Sequence, residues 1–327
     1  MKPTERVAFR LIRADLQFLL TIVRNAAVSG PGYLVASLPY VGMIIDGCET
    51  WSQKIKSLQG RVPSFTEEEK QFFQELRSKI KLWETPFVDL LNQKYDESEM
   101  HFSDVCKPIA KRLKLYDIYG TYLIDGFFCD NTILDALFVP GFHLKQMDGS
   151  YLEAMGRVGG KMIARFGIME KDILPIATST KFETKDFGGF SKSPVGNEFS
   201  DKFALFSILC ATNFILYGID KYIAAETPTK LRLAYIQYYY LAQQLPQINS
   251  IFKVHFDMDT QWVDDQFRNC MAHYGLGNVL PQPDVIETDL FGGLTERLFQ
   301  KDWITVKDSI LSELLKLSTQ FTAFLKL

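Results

Sequence analysis

The spacing of hydrophobic residues predicts helices along most of the chain. In the C-terminal half, apolar positions three or four residues apart indicate three helices, which begin near Phe203, at Pro228 and after Thr260. A last amphipathic helix begins at Asp302 or at Thr305. Four helices in this order are typical of a helical bundle.

The first third of the chain has a similar character. Residues 8–27 are predicted to form a helix, which the Ser-Gly-Pro-Gly sequence of residues 29–32 interrupts. Helical spacing resumes over residues 33–58. Ser64 or Thr66 is then predicted to cap a further helix, because three glutamates follow in its first turn.

The helical pattern is lost between residues 178 and 200, where glycine, serine and proline lie among charged residues. We therefore predict a mostly helical N-terminal domain of unknown role (1–185), a linker or long loop (186–200) and a helical bundle (201–327). The aromatic stretch 116–138 fits no period. Since no alternation of strands and helices indicates an α/β sheet, the predicted fold class is all-α.

Composition narrows the class of protein without identifying it. Of the 327 residues, 47% are hydrophobic and 23% are charged, which is typical of a soluble globular protein rather than a disordered one. The chain contains 26 phenylalanines and 14 tyrosines, enough for large cores or interfaces. The formal net charge is −3, so any contact with RNA would have to come from a local patch or a dimer cleft.

Neither a metal site nor a cofactor motif is predicted. The five cysteines are widely spaced and never form a Cys-x-x-Cys pair, and the four histidines lack metal-ligand spacing. Residues 155–161 are glycine-rich and end in lysine but lack the spacing of a phosphate-binding loop. The uncharged stretches 25–45 and 203–219 are interpreted as buried helices, not membrane spans. We therefore expect a cytoplasmic protein that has no membrane partner.

One short segment carries candidate chemistry. Near the predicted third helix of the bundle the chain reads Arg268-Asn269-Cys270-Met271-Ala272-His273, followed by Tyr274 and Gly275. This segment resembles the Arg-x4–6-His motif of HEPN domains, whose members commonly have Arg-Asn, two small or apolar residues, Ala-His and then a glycine. The resemblance covers about residues 203–327 and leaves the N-terminal half unexplained.

The resemblance implies a metal-independent endoribonuclease that acts as a homodimer, with two copies of the motif facing each other across a cleft. It also implies a toxin or antiviral defence effector, with an antitoxin or a regulatory protein as a further partner. The chemistry is reasonable for RNA, which carries its own nucleophile in the 2′-hydroxyl. His273 would transfer the proton near neutral pH, and Arg268 would stabilise the charged phosphate in the transition state.

Helix geometry qualifies this assignment. Five residues turn a helix by about 500°, so Arg268 and His273 point about 140° apart. Either the helix is irregular near Gly275, or the catalytic pair is completed by a second protomer. Asn269 shares a face with His273 and could orient it, and Tyr274 could stack on a base.

Two further residues are supporting candidates. Asn213 and Asp220 lie seven residues apart beside an apolar stripe, from which they could support the motif. An alternative function remains open: a non-catalytic dimerisation or interaction protein with a HEPN-like fold would also fit the near-neutral charge and the many aromatic residues.

Overall fold

The structure is a computed structural model that describes residues 1–54, 63–80, 119–139, 150–187, 193–195 and 201–327, with Asp89, Leu91 and Gln93. These residues are mostly helical and include one small sheet, so the predicted all-α class is confirmed. The helices are α1 (Pro3–Arg24), α2 (Ala26–Lys54), α3 (Glu67–Ile80), α4 (Thr132–Phe138), α5 (Ser150–Arg165), α6 (Asp201–Asn213), α7 (Pro228–Phe252), α8 (Asp265–His273), α9 (Gly292–Phe299) and α10 (Trp303–Leu325). The strands are β1 (Tyr119–Ile124), β2 (Phe127–Asn131) and β3 (Phe182–Phe187).

The N-terminal helices follow the signals in the sequence closely. The predicted break is a kink inside α2, where Gly30 has φ 79° and ψ 173°, a conformation that glycine adopts without a steric penalty. Thr66, not Ser64, caps α3. Its hydroxyl accepts a hydrogen bond from the Glu69 amide at 3.2 Å, and the Glu69 carboxylate accepts one from the Thr66 amide at 2.9 Å.

The sheet accounts for the aromatic stretch that fitted no helical period. Its strand order is β2-β1-β3, and both pairings are antiparallel. Asp125 and Gly126 join β1 to β2 with φ angles of 50° and 83°, the positive values that a tight two-residue hairpin requires. β3 pairs with the other edge of β1, and it lies in the part of the chain after residue 178 where helical spacing is lost.

The four predicted C-terminal helices are present with shifted ends, and α9 is a further short helix that was not predicted. α6 continues as a π-helical segment (Phe214–Lys221), and α10 packs against both α6 and α7. α7 runs past Pro246 as far as Phe252, where buried Leu245 and Ile248 hold its last turns. Asp302, not Thr305, caps α10, since its carboxylate accepts the Thr305 amide at 2.9 Å.

The predicted boundary at residues 186–200 does not separate two cores. One continuous cluster of buried side chains includes Leu16 of α1, Ile44 of α2, Phe206 of α6 and Leu233 of α7. The N-terminal helices are amphipathic or wholly apolar, and they bury their apolar faces against the C-terminal bundle. Residues 188–192 and 196–200 of the predicted linker lie outside the described residues.

Two of the described helical stretches are long and apolar enough to cross a membrane: Ala26–Gln53 and Asp201–Lys221. Within the structure 78% and 94% of their most apolar windows are buried against other parts of the protein. Core helices of soluble proteins pass the same test of length and composition, so this finding is weak evidence for a membrane span.

Candidate functional site

Helix α8 carries the Arg268–His273 segment as a regular helix. Asp264 caps it, with its carboxylate accepting the Phe267 amide at 2.7 Å. The helix ends after His273, where Tyr274 takes the left-handed conformation at φ 52°. The helix is therefore regular between the arginine and the histidine, and an irregular turn near Gly275 does not bring them together.

An open cleft of about 550 Å³ lies beside α8. Asn269 and His273 both line it, as expected for residues four apart on one helix. Arg268 is not among the residues that line it, which agrees with the angle between the two side chains. The described residues that form the cleft come from α2, α3, α8 and the turn after α8: Thr50, Trp51, Arg77, Gln266, Asn269, Cys270, His273, Gly275, Asn278 and Val279.

Arg268 is held against helix α7. It donates to the hydroxyl of Tyr240 at 3.1 Å and to the side-chain oxygen of Asn269 at 3.0 Å. Its guanidinium lies 5.5 Å from the ring centroids of both Tyr239 and Tyr240, within the range of a cation–π contact. The side chain is half-buried, and its contact with Asn269 connects it to the edge of the cleft.

Arg77 of α3 is the cleft residue that the sequence did not reveal. Its Nη2 lies 2.8 Å from Nδ1 and 3.2 Å from Nε2 of His273. A guanidinium has only donors, so the ring nitrogen that it contacts most closely must accept and cannot carry a proton. Arg77 also forms an ion pair with Asp46 of α2. His273 therefore has an arginine beside it within the same chain.

The charge on Arg77 persists despite its surroundings. Burial lowers the pKa of Arg77, the nearby Tyr240 hydroxyl raises it, and the positive charge of Arg268 lowers it. An arginine side chain nonetheless stays charged at neutral pH. Because Arg268 is close enough to affect the pKa of Arg77, the two guanidiniums create one local concentration of positive charge near the cleft, which Asp46 partly offsets.

Tyr274 does not lie at the surface, contrary to the expectation that it could stack on a base. It is 1% exposed, and its hydroxyl contacts the carboxylate of Asp15 and, at 3.6 Å, the sulfur of Cys48. Burial raises the pKa of Tyr274 well above its ordinary value. The left-handed turn after His273 directs the ring into the core, where it positions the end of α8.

Arg232 of α7 completes this buried contact. It forms an ion pair with Asp15, and its guanidinium lies 4.0 Å from the centroid of the Tyr274 ring. Its Nε donates to the carbonyl of Met271 at 2.7 Å, and Thr229 donates to Asp15 at 2.7 Å. The contact with Asp15 is ionic rather than a well-aligned hydrogen bond. These groups tie α1, α7 and α8 together beneath the cleft.

Asn213 and Asp220 form contacts away from the cleft. Asn213 is 3% exposed, donates to the carbonyl of Phe128 at 3.0 Å and accepts from Ser318 at 2.6 Å. Lys230 binds both the carboxylate of Asp220, at 3.5 Å, and its carbonyl, at 2.7 Å. Neither residue lines the cleft, because α6 and the π-helical segment pack against β2 and α10.

Among the described residues there is no group of three or more histidine, cysteine or acidic side chains that could hold a metal ion. Comparison with known proteins finds no matching family model, no similar curated protein and no similar solved structure.

Proposed function

We propose that this chain is a metal-independent endoribonuclease of the HEPN type, and that the cleft at the end of α8 is its site. The observation that carries the proposal is the contact between Arg77 and His273 in an open cleft. A histidine with an acceptor nitrogen, next to permanent positive charge, suits proton transfer beside a phosphodiester.

In the proposed reaction, Arg77 shifts its N–H from His273 to a phosphate oxygen, which frees that ring nitrogen to remove the proton from the ribose 2′-hydroxyl. The 2′-oxygen attacks phosphorus, the bond from phosphorus to the 5′-oxygen breaks, and the leaving oxygen takes a proton from the protonated histidine of a second protomer. The products are a 2′,3′-cyclic phosphate and a 5′-hydroxyl. Arg77 and Arg268 stabilise the added negative charge on the phosphate oxygens. A homodimer would place a second histidine near the leaving group, and the role as a toxin or defence effector is part of the same proposal.

The test is cleavage of single-stranded RNA by the purified chain in EDTA, with analysis of the product ends. We expect cyclic-phosphate ends, and a loss of about 10²–10⁴-fold in rate for His273→Ala, the range typical of a general acid–base group. His255→Ala is the matched control, because His255 is exposed in the turn after α7. Circular dichroism would verify that both variants fold.

Cleavage that requires a divalent metal, or that survives His273→Ala in full, would contradict the mechanism. If the folded wild-type chain cleaves no RNA but forms a stable dimer, the alternative function of a dimerisation or interaction module replaces the proposal.

A further inference from the structure

A second cavity, of about 250 Å³, lies near the start of α2, whereas the α8 cleft lies near the end of that helix. It is bounded by the kink of α2, by strand β1, by α4 and by the start of α5. The described residues that line it are Pro31, Gly32, Val35, Gly120, Thr121, Tyr122, Asn131, Thr132, Asp135, Val139, Tyr151 and Thr184. Its volume is below the range of about 300–1,000 Å³ that holds drug-sized ligands, so it suits a smaller molecule.

Two carboxyl groups interact at this cavity: Asp135 lies in the cavity wall, and Asp130 lies behind it. Asp130, the residue before the cap of α4, is fully buried, and Asp135 lies one turn into that helix. Burial, and then the neighbouring Asp135, raise the pKa of Asp130 well above its ordinary value. Burial raises the pKa of Asp135 to about 6, and a hydrogen bond with Asp130 acts in the opposite direction. Asp130 is therefore the protonated partner, and Asp135 carries the negative charge near neutral pH.

The described side chains that face this pair provide no counter-ion. The titratable ones come from α2, β1, β2, α5 and α6, and all are neutral acids at neutral pH: Tyr40, Tyr122, Cys129, Tyr151 and Cys210. Among the described residues, no lysine or arginine forms an ion pair with Asp130 or Asp135. Asp135 is half-buried and lines the cavity, so its charge is open to a cation that enters the cavity from outside the chain.

A second observation points to a ligand in the same cavity. Thr121 of β1 lines the wall and is only 2% exposed, and its hydroxyl has no hydrogen-bond partner within the described part of the chain. A buried hydroxyl without a partner is destabilising, and a ligand with N–H groups would satisfy it as an acceptor.

We propose that this cavity binds a small organic cation, an amine or a guanidinium compound, with Asp135 as its counter-ion and the Thr121 hydroxyl as a further acceptor. Two carboxyl groups, one of them protonated, are too few oxygen ligands for a divalent metal, whereas the N–H groups of a guanidinium match a carboxylate geometrically. This site is separate from the α8 cleft and does not depend on ribonuclease activity.

The first experiment uses the wild-type chain alone. Isothermal titration calorimetry compares methylguanidinium with methylurea, a neutral molecule of nearly the same shape. We expect saturable binding of methylguanidinium at pH 7.5 and binding of methylurea that is at least tenfold weaker. Because protonation of Asp135 removes its charge, affinity should fall by roughly tenfold between pH 7 and pH 5. Absence of saturable methylguanidinium binding, or equal binding of methylurea, would overturn the proposal.

The second experiment identifies the carboxylate. Asp135→Asn keeps the shape of the side chain and should weaken methylguanidinium binding at least tenfold. Glu153→Gln removes one charge from an exposed position on α5 and should leave binding unchanged. Equal binding by wild type and a folded Asp135→Asn variant would overturn the assignment. If that variant does not fold, the comparison of the two probes and of the two pH values on wild type still decides the question.

Discussion

Two arginine–aspartate pairs flank the end of helix α8, and they differ in what surrounds them. Arg232 and Asp15 are each 1% exposed, whereas the side chains of Arg77 and Asp46 are 24% and 9% exposed. The buried pair is enclosed by the protein, where Thr229 and Tyr274 contact Asp15. In the cleft pair, Arg77 also reaches the imidazole of His273 and lines open space.

The difference shows how one kind of ion pair can serve structure in one place and a site in another. Removing Arg232 and Asp15 from water carries a large desolvation penalty, which the added contacts of Thr229, Tyr274 and the Met271 carbonyl offset. At the cleft, Asp46 is buried but Arg77 is partly exposed and lines open space, so Arg77 can exchange part of its contact with Asp46 for an incoming anion.

The largest effect should come from breaking the buried pair. Arg232→Met leaves Asp15 as an uncompensated buried charge, and we expect a loss of about 3–5 kcal/mol in the free energy of unfolding, measured by urea denaturation. The matched control is Arg297→Met, since Arg297 pairs with Asp284 and both are more than 40% exposed. That control should lose no more than about 1 kcal/mol. Equal losses would show that burial does not distinguish the pairs.

A smaller effect is expected when a neutral donor to the same carboxylate is removed. Tyr274→Phe deletes the hydroxyl that contacts Asp15, and the free energy of unfolding should fall by about 1–3 kcal/mol. Tyr239→Phe removes a comparable hydroxyl contact, to Asp265 at 2.5 Å, from a half-buried ring whose contact with Asp265 is exposed to solvent. A larger loss for Tyr239→Phe would contradict the importance of the buried network.

The smallest stability effect should come from the cleft pair. We expect Arg77→Gln to lower the free energy of unfolding by about 1–2 kcal/mol, because Arg77 is partly exposed and glutamine still offers Asp46 a neutral donor. If the cleft binds RNA, the same substitution should reduce the slope of log affinity against log salt by about 0.7, the value for one contact with a single-strand phosphate. Fluorescence anisotropy with single-stranded RNA at several salt concentrations measures this slope.

The control for that measurement is Arg297→Gln, which removes an exposed arginine that does not line the cleft. An unchanged slope for Arg77→Gln, or an equal change for the control, would remove Arg77 from the proposed phosphate site without affecting the stability comparison.

Some of the candidate site could be predicted because it depends on short-range geometry. The regular spacing of α8 separates Arg268 from His273 and places Asn269 beside His273, and the structure has this arrangement. The Asp125-Gly126 hairpin was equally local but was missed. The hairpin is marked by a two-residue turn, which a search for helical periodicity does not detect. The strands on either side are rich in aromatic residues and do not show a clear alternation of apolar and polar residues.

Other features have no local signal. Arg77 lies almost 200 positions before His273, and its helix shows only an amphipathic pattern with an N-terminal cap. The inward turn of Tyr274 depends on Asp15, Cys48 and Arg232, which belong to three other helices. An exposed aromatic and a buried one look the same in a short motif, so the assignment of Tyr274 to the surface was wrong.

The sequence by itself determined the helical class, the approximate positions of the long helices and the faces of α8, because periodicity and capping act over a few residues. Only the tertiary structure decided which arginine stands beside His273, which tyrosine is buried and that both halves share one core. Those outcomes depend on contacts between segments that are distant in the sequence. Several arginines and tyrosines could make such contacts as far as the sequence shows, and burial and charge pairing in the folded chain decide which of them do.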